Sequence, residues 1–122
     1  MSLYKLNNVE VEIDLEDADF LRRYENAFNK MQEKETELQK VGMNSQFIFN
    51  YCELFYGLFD DIFGEGKGEE IFKGKHNARL VDEVYAEFIN ICTDQGKEAT
   101  ERRNKLFAKY QPSHHGTLNA MR

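Results

Sequence analysis

The stretch that decides the fold is FIFNYCELFYGLFDDIF, residues 47–63. Apart from five polar or small residues, this stretch is apolar, which is typical of a helix that is buried on several sides. We therefore predict a central helix over 47–63, surrounded by its neighbours in the chain, by a partner protein or by both. Its polar or small residues recur every three or four positions, on one narrow helical stripe: Asn50, Glu53, Gly57, Asp60 and Asp61.

Two apolar faces run along this helix and require two sets of partners, and one of them carries Ile48, Phe55 and Ile62. The other face carries Phe49, Tyr56 and Phe63 at a spacing of seven residues. Phe and Tyr provide large contact areas in protein interfaces. We expect these three residues, with Phe72, to form a protein-interaction surface. The alternative, that all the aromatic residues belong to the core, stays open at this point.

A glycine-rich loop, Gly64-Glu-Gly-Lys-Gly68, ends the central helix. A phosphate-binding loop follows a strand, and its Gly-Lys pair is followed by Ser or Thr, which binds magnesium. Here the loop follows a helix, Lys67 is followed by glycine, and the neighbouring glutamates repel phosphate. We therefore predict a corner between helices and no bound cofactor.

Apolar and polar residues alternate from Tyr4 to Ile13, and an Asn-Asn pair suited to a tight turn lies between the two halves. This pattern predicts a short β-hairpin with Val9, Val11 and Ile13 on its inner face. Asp14 is the predicted N-cap of a long amphipathic helix over 17–41.

After the glycine loop we expect a helical turn over 69–73, a helix over 77–96 that ends at Gly96, and a last helix over 97–110 that stops before Pro112. The predicted fold class is mostly α, with four to five helices and a short N-terminal β-hairpin. We assign residues 1–112 to this single domain and residues 113–122 to a disordered tail.

The composition excludes several classes of protein. The chain has 22 acidic and 16 basic residues, a formal net charge of -6, which argues against nucleic-acid and membrane binding. Neither a signal peptide nor an apolar run of about 18 residues is present, so we expect a cytoplasmic location. Cys52 and Cys92 are expected to be reduced core residues.

Basic residues are concentrated near the C-terminus. Residues 96–122 contain six basic and two acidic side chains, whereas residues 1–95 are strongly acidic. Such a basic end could fold back on its own molecule, grip a neighbouring copy or reach an acidic partner.

The sequence offers no constellation suited to catalysis or metal binding. Asp60-Asp61 and Glu69-Glu70 are neighbours on one helix each and point about 100° apart, unlike an acid–base pair that faces across a cleft. The three histidines have no zinc-ligand spacing. We predict a protein that is not an enzyme, with no catalytic residue and no metal site.

Two segments resemble a known class of proteins. LFDDIFGEGKGEEIFKG (58–74), with the opening LNNVEVEIDLEDADFLRRYENAF (6–28), resembles small phage and prophage proteins of Gram-positive bacteria from the virion tail morphogenesis module. The specific part is the motif that runs from Phe59 to Phe72, and Lys67 departs from the Thr or Ser usual at its position. The similarity covers residues 4–93.

The resemblance implies a tail assembly chaperone, a helical protein that holds aggregation-prone tail components until assembly. We therefore expect a non-enzymatic protein that binds a protein partner, such as a phage tail component, and forms a homo-oligomer. The alternative is a regulatory or inhibitory protein that binds a host or phage protein through its acidic surface.

Overall fold

The computed structural model describes residues 2–38 and 43–110. It confirms the predicted mostly α fold with a short N-terminal hairpin. The tail predicted for residues 113–122 and the predicted end of the first helix at residue 41 lie outside the described residues. In chain order the elements of the described part are β1 (Leu3–Leu6), β2 (Val9–Glu12), α1 (Ala18–Leu38), α2 (Ser45–Phe63), α3 (Lys67–Phe72) and α4 (Ala78–Tyr110).

The hairpin has the predicted orientation. Its antiparallel strands pair Leu6 with Val9 across the Asn7-Asn8 turn. Both asparagines have positive φ, 49° and 70°, as the favoured two-residue hairpin turn requires. The valines of β2 and the following isoleucine are buried, and its glutamates face solvent.

Polar contacts hold the hairpin against the helices. The Asn7 side chain donates to the backbone oxygen of Ile71 in α3 at 2.8 Å. In α4, Gln95 donates to the Ile13 backbone oxygen at 2.6 Å and accepts from the Leu15 backbone N–H at 3.0 Å. An isolated two-stranded hairpin is only marginally stable, so these contacts and the buried valines determine where it lies.

The N-cap of helix α1 lies three residues later than predicted, at Asp17 instead of Asp14. Asp17 accepts the Phe20 backbone N–H at 2.9 Å and is therefore the N-cap. Asp14 accepts the Glu16 N–H at 3.0 Å within the preceding turn. Both aspartates have a capping side chain, and tertiary packing decides between them because starting at Asp17 places Phe20 in the core.

Helix α2 is the central helix that the sequence predicts. It packs against α1, α3 and α4, and seven of its residues are buried. Asn44 caps its start by accepting the Phe47 N–H at 2.8 Å, and Gly64, with φ of 123°, follows its last residue. Both apolar faces of α2 are therefore covered largely within one molecule.

Helix α4 is continuous through Gly96, so the predicted break into two helices is wrong. A glycine inside a helix costs only about 1 kcal/mol relative to alanine. Cys92 and Ala99 are buried on either side of Gly96, and Gln95 is hydrogen-bonded to the hairpin. These contacts outweigh the weak helix propensity of the glycine, and the described part of the chain has four helices.

The corner between α2 and α3 depends on a close backbone approach at Gly68. A Cβ atom at this position would lie 2.6 Å from the backbone oxygen of Tyr56. Asp60 accepts the Gly68 N–H at 2.7 Å and so ties the start of α3 to α2. The glycine loop is thus a helix corner, as predicted.

We predict that Gly68→Ala destabilises the fold by about 1–3 kcal/mol, because the added methyl group overlaps the α2 backbone. Gly57→Ala is the matched control within α2. No atom lies within 4 Å of a Cβ built there, so this change is expected to stabilise by about 0.5–1 kcal/mol. Urea denaturation followed by circular dichroism measures both, and equal effects of the two variants would contradict the close approach.

Both cysteines are free and buried in the core. Burial raises the pKa of the Cys92 thiol to about 11. Burial, and secondly the charges of Asp82 and Glu53, raises the pKa of Cys52. Both thiols are therefore neutral at physiological pH and weakly nucleophilic, as expected of core residues.

The raised thiol pKa values predict alkaline destabilisation. The unfolded chain releases the Cys92 proton near pH 9 and the folded chain only near pH 11, so the stabilisation is complete below pH 9 and is lost as the pH rises to 11. Urea denaturation at pH 8 and pH 10.5 measures the change. Cys92→Ala is expected to reduce the loss between the two pH values, and an unchanged loss would contradict the assignment to this thiol.

Candidate protein-interaction surfaces

The four residues of the predicted interaction surface lie in different environments. Phe72 is fully buried, Tyr56 is 7% exposed, and Phe63 is half-buried. Phe49 is 46% exposed. Tyr56 also donates its hydroxyl to the Lys75 backbone oxygen at 2.7 Å. Of the four, only Phe49 presents a large part of its ring to solvent.

Aromatic packing inside the molecule explains the burial of the others. The Tyr56 and Phe72 rings lie 5.1 Å apart, centroid to centroid. Phe63 lies 5.9 Å from Phe88 of α4 and 6.3 Å from Phe20 of α1. Helices α1, α3 and α4 thus supply the partners of Tyr56 and Phe63 on this face of α2.

A stack of three rings holds Phe49 in place. The His76 imidazole lies between Phe49 and Tyr56, with centroid distances of 4.3 and 4.6 Å and nearly parallel planes. His76 Nε2 lies 2.6 Å from Glu53 Oε2. This contact fixes the segment between α3 and α4 against α2, so the exposed Phe49 ring is oriented by its neighbours.

An aromatic groove of about 500 Å³ lies between α1 and α2, and Tyr85 of α4 contributes to its lining. Tyr51 donates to Asp82 Oδ1 at 2.5 Å, which orients its ring. The Phe55 and Tyr85 rings contact edge to face at 5.0 Å. The apolar side chains that line this groove, which the sequence analysis did not single out as a surface, include Phe28, Met31, Phe47, Tyr51, Phe55 and Tyr85.

A second, acidic groove of about 840 Å³ borders the polar stripe of α2. Leu38 and Leu54 line both grooves and therefore separate them. Lys34 is the one basic residue among those that line the acidic groove. Its carboxylates come from α1, α2, α3 and the loop before α3: Glu37, Glu53, Asp60, Glu65 and Glu69.

These carboxylates do not form a metal centre. Across residues 2–38 and 43–110, no three His, Cys, Asp or Glu side chains are grouped as metal ligands. Glu53 contacts His76, and Asp60 accepts a backbone N–H of α3. The acidic groove therefore offers dispersed negative charge, which suits a basic surface better than a single ion.

The C-terminal end of α4 carries exposed apolar residues. Ala99 is the last buried residue of the helix, and Leu106, Phe107 and Tyr110 are 46%, 55% and 71% exposed. The sequence places Leu106 and Tyr110 at helical spacing from Ala99, so they continue its buried face. The helical spacing predicts that Leu106 and Tyr110 are buried like Ala99, whereas the other elements in the described part of the chain do not reach far enough to cover them.

Two arginines connect α4 to the N-terminal turn. Arg102 and Arg103 both donate to Glu16, Arg103 at 2.7 Å. The hydrogen bond from Arg102, with the charges of both arginines, lowers the pKa of the Glu16 carboxyl. Of the three predicted roles of the basic end, folding back on its own molecule applies to these two residues.

No helix in the described part of the chain combines the length and the apolar character needed to span a membrane.

Comparison with known proteins identifies a family but no characterised relative. No curated protein and no solved structure matches the chain. Residues 7–120 match a family of unknown function, DUF6673, and because the match covers most of the sequence, the protein belongs to this family.

Proposed function

We propose that this protein is a non-enzymatic binding protein that acts in phage tail assembly, where it holds an apolar segment of a tail component in the manner of a chaperone. The aromatic groove is the observation that supports the proposal. The resemblance of residues 58–74 and 6–28 to tail morphogenesis proteins supplies the class of partner.

The lining of the aromatic groove suits an apolar segment of variable sequence. Aromatic rings provide large contact areas, and the flexible Met31 side chain adapts to different shapes. A groove between two helices is also a common binding site for an amphipathic helix. The bound segment would be shielded from aggregation while it occupies the groove.

The charge of the protein fits the same role. A net charge of -6 favours solubility of the protein through mutual repulsion. Phe49, oriented by His76 at the surface, extends the apolar contact area of α2 to another side of the helix. Both features favour a protein that carries an apolar partner in solution.

A regulatory or inhibitory binding protein is the second candidate. The acidic groove favours this function because its five carboxylates would attract a basic partner. Contacts between exposed charges weaken with salt, whereas apolar contacts persist. The salt dependence of partner binding therefore separates the two candidates.

We predict that co-expression with the protein raises the soluble yield of a tail component of the phage or prophage that carries its gene. Asn29→Arg places a charge at the aromatic groove and is expected to abolish this gain. Asn26→Arg, on the same helix but outside the groove lining, is the matched control and is expected to keep it. Soluble yield is measured by quantitative gel densitometry for each tail component.

The outcomes separate the parts of the proposal. If no tail component gains solubility with the wild-type protein, the tail-assembly function is wrong. Equal gains with Asn29→Arg and the wild type would exclude the aromatic groove as the binding site. Loss of the complex at about 0.5 M salt would favour the regulatory candidate.

A further inference from the structure

We propose that the terminal segment of α4, residues 103–110, binds in the acidic groove of a second copy of the chain. The inference extends the proposed function by naming a self-assembly contact. It rests on the proposed function only because the inference and the proposed function both describe a protein that acts by binding other protein chains. The two sites differ, since a tail component would occupy the aromatic groove.

The apolar face of α4 continues beyond the body of the molecule. Phe88, Cys92 and Ala99 are buried along this face. Leu106 and Tyr110 follow at helical spacing, yet every residue from Thr100 to Tyr110 is exposed. Over these eleven residues the helix extends about 16 Å, at 1.5 Å per residue. The pattern of a buried helix face is thus present where nothing in the described part of the chain covers it.

The charges of the segment and the groove are complementary. Residues 103–110 read RNKLFAKY, with no acidic residue, and because Arg103 is paired with Glu16 of its own chain, Lys105 and Lys109 are the charges available to a second copy. The acidic groove has five carboxylates and one lysine. Lys105 and Lys109 lie beyond the arginines that contact Glu16. A segment with basic and apolar residues therefore matches a groove whose walls are acidic and whose lining includes Leu38, Leu54 and Tyr56.

The same chain does not place its own segment in this groove. Helix α4 is continuous to Tyr110, and none of its residues is among those lining the groove. The contacts of Arg102 and Arg103 with Glu16 hold the helix at the N-terminal turn. The groove instead lies between α1, α2 and α3, so we commit to a second copy as the occupant.

The segment and the groove are different surfaces on different helices. A one-way contact between such surfaces repeats from copy to copy and closes into a ring if the rotation permits. A reciprocal exchange, in which two copies each donate a segment, gives a two-fold dimer. Both arrangements use the same contact, and both give a particle heavier than the monomer.

Light scattering on a size-exclusion column tests the contact with the full chain at about 0.1 mM, a concentration at which weak self-association is visible. The wild type is expected at twice the monomer mass of 14.4 kDa or more. Two double variants reverse charges at exposed positions: Lys105→Glu with Lys109→Glu in the segment, and Glu37→Lys with Glu65→Lys in the groove. Each is expected to elute as a monomer.

Mixing the two double variants provides the decisive measurement. The groove of the first and the segment of the second are both unaltered, and the two altered surfaces are again complementary, so the mixture is expected to regain the wild-type mass. Glu25→Lys with Glu33→Lys is the matched control, because both residues are exposed on α1 and outside the groove lining. This control is expected to remain associated.

A monomeric wild type would overturn the proposal, as would an associated form that neither double variant weakens. Monomeric variants whose mixture stays monomeric would also overturn it. Leu106→Ser with Phe107→Ser is an uncharged second variant of the segment and is expected to be monomeric as well. None of these results depends on a tail component, so they leave the proposed function to its own co-expression test.

Discussion

Burial of helix α2 is the constraint on which the rest of the structure depends. Its apolar side chains occupy most of the helix circumference, and exposing them to water would cost about 25 cal/mol for each square ångström. Three helices cover it, α1, α3 and α4. The short α3 can do so only because Gly68 lets its backbone approach Tyr56. The packing of the whole molecule follows from the need to surround this helix.

The same constraint produces both grooves. Burying the carboxylates of the polar stripe of α2 would cost more free energy than their contacts with His76 and the Gly68 N–H return, so the neighbouring helices leave the stripe accessible as one wall of the acidic groove. On the other side of Leu38 and Leu54, α1 and α2 leave the aromatic groove between them. The apolar circumference of α2 and its single polar stripe thus leave two grooves of opposite character.

The division between core and surface aromatic residues illustrates how far sequence reasoning extends. The heptad spacing of Phe49, Tyr56 and Phe63 correctly places them along one side of α2. The exposed fractions of their side chains nevertheless differ widely. The ring of Tyr56 is covered by Phe72 and His76, which are distant in the sequence. Phe49 lies near the start of the helix, where His76 covers only one part of its ring.

By itself the sequence determined several elements: the hairpin with its Asn7-Asn8 turn, the central helix and the glycine corner. It could do so because helical and strand periodicity and turn residues act locally. Tertiary structure decided the choice between Asp14 and Asp17 as cap and the continuity of α4 through Gly96. Asp14 and Asp17 are equivalent caps locally, so burial of Phe20 decides between them. The helical Gly96 costs only about 1 kcal/mol, which burial of Cys92 and Ala99 outweighs. Tertiary structure alone also assembled both grooves, because their walls come from helices far apart in the sequence.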